Sequence, residues 1–221
     1  MVEKSHPLEE RPFVVPCGQL SLDAPWRWLR LGWQDFKRAP RLSLIFGIII
    51  MLVSMAVSTL AWSLGRFALL AALLSGFVFV APLIAVGLYC VSRELGAGRT
   101  PSLRQSFVLA RRVAGQAGVF ALAQLVILLV WSRAGMMLSA FFPVDANDTA
   151  MLFEYLAVGS AIGTAFAALT FATSAVSLPM IADRNVDIIT ACISSINAVL
   201  RNKPAMLLWA VLIAVLTAVG F

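Results

Sequence analysis

The sequence predicts an all-α fold, a polytopic membrane helix bundle, on three observations. Hydrophobic residues make up 61% of the 221 and charged residues only 13%, where a soluble domain carries about one-quarter charged residues; the mean hydropathy is +0.91. Apolar runs of the length needed to cross a hydrocarbon core of about 30 Å, at about 1.5 Å of rise per helical residue, recur along the chain. Finally, a basic amphipathic stretch leads three times through a helix breaker into such a run. Lys37, Arg112 and Arg201 each stand three residues before the breakers Pro40, Gly115 and Pro204.

Residues 1–20 read as a flexible cytoplasmic tail, broken by Pro7, Pro12 and Pro16. They hold no apolar core before a small-residue cleavage site, which excludes an ordinary signal peptide. Residues 21–221 form a single integral membrane domain. Its first element is an interfacial helix over about 21–38: at 100° per residue Leu22, Trp26, Leu29, Trp33 and Phe36 share one arc, with Arg27, Arg30, Lys37 and Arg38 to the other side. Rings among headgroups and cations on anionic phosphates suit a membrane surface, with packing against the cytoplasmic end of the bundle as the alternative. Spans follow at about 42–64 and 67–91, joined tightly at Gly65, whose left-handed freedom can end a helix. Thr100-Pro101-Ser102 reads as a cap opening a second interfacial helix over about 101–112, with Arg104, Arg111 and Arg112 towards water. Spans at about 113–132 and 155–182, a third interfacial helix over about 186–202, and a span at about 204–221 complete the chain. That makes about five spans, built from repeated amphipathic-helix and hairpin units, with a sixth expected beyond Phe221. Backbone groups have no water partners in lipid, so these runs are helices.

Fifteen of the seventeen lysine and arginine residues precede the first span, follow the second or follow the fourth; only Arg66 and Arg133 lie on the other side. Cations in short loops mark the cytoplasmic face, so the N-terminus is expected inside and the loops at Gly65 and Asp145 outside. The net charge of +6 therefore belongs to a membrane face, and membrane lipids with anionic headgroups are the expected partners. A nucleic-acid reading would need a basic soluble domain, and none is present. Cys17, Cys90 and Cys192 stand apart and imply no disulfide framework.

The candidate sites are few. Pro82 and Pro179 interrupt the second member of each hairpin; such breaks can free carbonyls for a solute, although proline also simply kinks membrane helices. Gly159 and Gly163 form a small-xxx-small ridge for close helix approach, and Gln124 is a strongly polar side chain in mid-span. Its amide needs a partner, most simply a hydroxyl of Thr164, Thr170, Thr173 or Ser174, and a solute is the sharper alternative. Asp183, Arg184 and Asp187 form a candidate cytoplasmic ion-pair or capping cluster. The sole histidine, His6, lies in the tail, so no span supplies imidazole to a metal or haem. No catalytic, cofactor or metal residue is assigned.

Three stretches carry a resemblance: Gly32-Trp33-Gln34-Asp35 with Pro40 to Leu44, Pro82 to Tyr89 through Ser92-Arg93-Glu94-Leu95 to Leu103, and Leu178 to Asp187. They resemble a family of bacterial integral membrane proteins whose domain has no established function and some of whose members are labelled cytochrome c oxidase subunits. The resemblance implies six spans, a bacterial inner-membrane location, and a shortened member ending at Phe221. The chain is more weakly similar to membrane domains attached to glycerophosphodiester phosphodiesterases. Together these observations suggest a non-enzymatic accessory, assembly or scaffold protein beside a respiratory complex, with a membrane-protein partner or a second copy of itself. The alternative is a transporter or channel-like protein for a small neutral or lipid-like solute.

Cysteine labelling of intact cells tests the orientation. An impermeant reagent should modify Asp145→Cys and spare Ser102→Cys; the reverse pattern overturns the assignment.

Overall fold

The computed structural model describes residues 14–64, 84–141, 149–184 and 186–220, and every regular element among them is an α-helix. Most of the expected second span with Pro82, the turn at Gly65, the loop at Asp145, His6 and Phe221 lie outside the described residues.

Two of the three expected breaks are sharp elbows. Helix α1 (Ala24–Arg38) stops at Ala39 (φ −131°, ψ 56°) and α2 (Pro40–Leu64) leaves at 105°. Near the other end, α7 (Ile188–Arg201) stops at Asn202 (φ −124°, ψ 41°) and α8 (Lys203–Gly220) leaves at 106°. A proline ring inside a continuing helix would clash with the carbonyl four residues back. In the first turn of a new helix its missing N–H costs nothing, so the chain stops and restarts there. The turn of roughly a right angle lays each amphipathic helix across the span it precedes, as an interfacial helix requires.

The third expected break is absent. Helix α4 runs unbroken from Leu103 to Phe141, 39 residues, so the separate interfacial helix over 101–112 and the span over 113–132 are one element. Glycine keeps its N–H and costs a helix only about 1 kcal/mol relative to alanine, too little for Gly115 to end a strongly propagating run. At about 1.5 Å per residue α4 is about 58 Å long, longer than the roughly 40–45 Å of a bilayer with its headgroups. Its N-terminus is a capping box: Ser102 Oγ accepts from Gln105 N (3.3 Å) while Ser102 N donates to Gln105 Oε1 (3.0 Å).

Helix α3, over 84–96, ends in a Schellman turn. Gly98 takes φ +71°, Gly98 N donates to Leu95 O (3.1 Å) and Arg99 N to Glu94 O (2.9 Å). Helix α5 (Thr149–Ser174) gives way at Ala175–Val176 to α6 (Ser177–Arg184), which contains Pro179. Hydroxyls gather at this break. Ser174 Oγ donates to Thr170 O (2.6 Å), Ser177 Oγ to Thr173 O (2.8 Å), and Val176 N finds Ser195 Oγ on α7 (3.3 Å). Polar backbone around the proline is thereby met from within the protein, as lipid demands.

Among the described residues α4 and the α5–α6 pair are each long and apolar enough to cross a membrane, and the bent pairs α1–α2 and α7–α8 raise the number to four. The tightest core lies at the end of the bundle where α3, α4, α6 and α7 meet, around Val86, Cys90, Leu109, Val113, Ile181 and Ala191. Along α7 the buried face is small: Ala191, Ser194, Ser195 and Ala198 turn inward, whereas Ile189 and Leu200 are exposed.

Gly115→Ala checks the continuity of α4. Nothing lies within 4 Å of an added Cβ, so the variant should gain about 0.5–1 kcal/mol in detergent unfolding. A loss of stability would restore a break at this position.

Candidate functional site

The polar side chains that hold the molecule together collect at the end of the bundle carrying the two elbows. Glu94, on the last turn of α3, is only 4% exposed, and a carboxylate there needs charge partners. The Schellman turn supplies one by folding Arg99 back: Arg99 Nε lies 2.6 Å from Glu94 Oε2 and Arg99 Nη2 lies 3.1 Å from Oε1. This fork-to-carboxylate geometry is the strong form of the contact, and the hydrogen bonds from Arg99 hold the Glu94 carboxyl below the ordinary glutamate value. Arg93 adds a longer contact to the same carboxylate (3.4 Å) and donates to Ala182 O at the end of α6 (3.3 Å). Ser92 Oγ donates to Asp35 Oδ2 on α1 (2.6 Å). Residues 92–94 thus join α1, α3 and α6.

A second junction forms at the α7–α8 elbow. Asn202 is 4% exposed; its Oδ1 accepts from Leu20 N (2.7 Å) and its Nδ2 donates to Gly18 O (3.2 Å) and Ala198 O (3.1 Å). Val15 N donates to Ser194 Oγ (3.0 Å). Residues 14–20, expected as part of a flexible tail, are a strap pinned along α7, because their backbone finds partners in Ser194 and Asn202. Beneath the strap opens a cavity of about 610 Å³, with walls that include Leu20, Trp28, Met180 and Met206 and an edge of Ser92, Arg93, Asp183 and Arg184.

The expected site residues fall into groups. On α1, Ala24 is buried and Trp28 meets Trp209 of α8 edge-to-face at 5.5 Å. Trp26 and Trp33 stay exposed on a different face, Trp33 stacked on Phe36 at 5.4 Å. Arg27, Arg30, Lys37 and Arg38 are exposed, with Arg27 3.2 Å from Asp23. Arg104, Arg111 and Arg112 are exposed on the first turns of α4. Inside the span region Gln124 Nε2 donates to Thr173 Oγ1 (3.1 Å), one of the four hydroxyls the sequence offers it. A Cβ built at Gly159 would stand 3.3 Å from Leu138 Cδ2, and one at Gly163 3.8 Å from Trp131 Nε1, so the ridge packs on α4 of the same chain. Pro179 borders the cavity.

Asp183, Arg184 and Asp187 do not form an ion-pair cluster. No salt bridge joins them among the described residues, and Asp187 is instead the N-cap of α7, accepting from Thr190 N at 3.0 Å. That N–H holds the Asp187 carboxyl below the ordinary aspartate value. The extended backbone of Asp187 (ψ 161°) turns its carboxylate to the helix N-terminus, where the orphan N–H groups lie. Sequence reasoning missed Glu94 and Asn202. The signal for Glu94 was local: an acid followed by Gly98 and Arg99 at Schellman spacing. Asn202 had a weaker one, a polar residue two before an elbow proline.

The model of a family described as predicted integral membrane protein (DUF2189) matches residues 69–183. This stretch takes in α3, α4, α5 and nearly all of α6; the strap, α1, α2, α7 and α8 lie outside it. No curated protein and no solved structure matches the chain.

The Glu94 pair has a pH signature. Its folded pKa is lowered, so the pairing stabilises the fold above the unfolded-state value and that stability is lost as pH falls through the folded one. Thermal midpoints in detergent should drop below about pH 4.3, and Glu94→Gln should be less stable than the wild type at neutral pH and show a shallower acid loss. An unchanged acid limb in the variant would detach Glu94 from stability.

Proposed function

The chain belongs to the DUF2189 family of predicted integral membrane proteins, and from that premise we propose that it is a non-enzymatic accessory, assembly or scaffold component of the bacterial inner membrane, beside a respiratory complex. The observation that carries this reading is the use made of the polar and small groups in the spans. Gln124 is occupied by Thr173, Gly159 by the Leu138 contact, and the hydroxyls at the α5–α6 break by backbone carbonyls. These groups serve helix packing, where membrane helices commonly use small and hydrogen-bonding residues. The N-terminus is cytoplasmic in this reading. The exposed arc of Trp26 and Trp33 enters the headgroup layer while Arg30, Lys37 and Arg38 meet anionic phosphates. The remaining apolar surfaces of the spans offer a face to a membrane-protein partner or a second copy.

A second reading, passage of a small neutral or lipid-like solute, is favoured by one feature, a cleft of about 560 Å³ bordered by Gln124, Gly163, Thr170, Ser174 and Ile213. Purification of the full chain in mild detergent should bring respiratory-complex subunits with it; elution of the chain without them removes that association. Solute flux in proteoliposomes that Gln124→Leu abolishes would put the second reading first.

A further inference from the structure

The strap cavity has the chemistry of one particular ligand. Its walls are mainly apolar, with Leu20, Trp28, Met180 and Met206 among them, while one edge carries Arg93 and Arg184 against the single carboxylate of Asp183. Glu94 is already met by Arg99 at 2.6 and 3.1 Å and by Arg93 at 3.4 Å, so Arg184, which makes no ion pair among the described residues, is the cation that this edge holds out to a ligand. At about 610 Å³ the cavity falls within the range of about 300–1,000 Å³ of sites that enclose small molecules.

Its depth selects the ligand further. The cavity lies where α1 and α7 turn by 105° and 106° from their spans and where Trp26, Trp33, Ile189 and Leu200 are exposed, the level at which tryptophans and cations meet lipid headgroups. We propose that this cavity holds one anionic phospholipid, its phosphate at the Arg93 and Arg184 edge and part of an acyl chain against Trp28 and Met180. Arginine matches phosphate through its planar fork of donors, and an acyl chain covers walls that a free phosphate would leave wet. The strap is tied at both ends, Val15 to Ser194 and Leu20 to Asn202, so it forms a fixed wall of the site. The proposal rests on the headgroup-level placement of α1 given above, and on neither the respiratory association nor the passage of a solute.

The test is lipid retention by the full chain. Protein is stripped in a neutral detergent, offered phosphatidylglycerol or phosphatidylcholine, and weighed by native mass spectrometry. The wild type should keep one phosphatidylglycerol and little phosphatidylcholine. Arg184→Gln, at an exposed position, should lower the occupancy on the order of fivefold, the factor expected when one cation is removed from a lipid phosphate. Ala198→Phe, which fills the cavity from α7, should also expel the lipid, and Arg133→Gln, an exposed position on α4 outside the cavity, should leave retention unchanged. Equal retention of both lipids, equal loss in Arg133→Gln and Arg184→Gln, or retention untouched by both cavity variants would each overturn the proposal. Displacement of the lipid by millimolar inorganic phosphate would overturn it too, by assigning the edge to a free anion.

Discussion

A buried amide at the α7–α8 elbow closes the end of this bundle. Asn202 takes hydrogen bonds from the strap and gives them to the strap and to α7, joining parts of the chain 182 residues apart. A buried amide or backbone group left unpaired costs about 1–3 kcal/mol, so each partner holds the others in place. With the strap seated on α7, α1 follows directly and docks Trp28 against Trp209. The exposed direction of Trp26 and Trp33 and the roof of the cavity both derive from that placement.

The interior follows a rule different from that of a water-soluble protein. Lipid is as apolar as leucine, so hydrophobicity alone does not choose which helix face turns inward; close approach and hydrogen bonding do. Helix α7 illustrates this, with Ser194, Ser195 and Ala198 buried and Ile189 and Leu200 outside. The same rule sets Gly159 against Leu138 and Gly87 beneath the ring of Phe46, where a Cβ would collide with the ring edge. Ser106 Oγ then reaches Gly87 O at 3.2 Å, tying α4 to α3 where the backbones are close.

The stretches that carry the family resemblance converge in space. Asp35 meets Ser92, Arg93 reaches Ala182 O, and Glu94 binds Arg99. Each contact links two chain segments or reverses one, and all lie beside the core of Val86, Cys90 and Ile181. The organised polar chemistry of the described residues therefore sits at the basic end of the bundle, while the spans contribute length, apolar surface and packing ridges. A membrane protein with this division presents its recognisable features at the headgroup level.

The sequence by itself determined the helical class, the apolar lengths and the two elbows, because lipid requires self-satisfied backbone and proline acts on its own helix whatever surrounds it. It also determined that Gln124 needed a partner, since an amide in hydrocarbon has no solvent to turn to. Tertiary structure alone decided that Thr173 was that partner, that α4 passes through Gly115, and that residues 14–20 are a strap. Glycine is a weak breaker whose effect depends on the rest of the helix, and the strap is ordered by bonds to residues distant in the chain. Asp183, Arg184 and Asp187 mark the same limit: their spacing allowed pairing or capping. The extended turn into α7 aimed Asp187 at the Thr190 N–H, and a backbone conformation of that kind is set by the packing of the helices on either side.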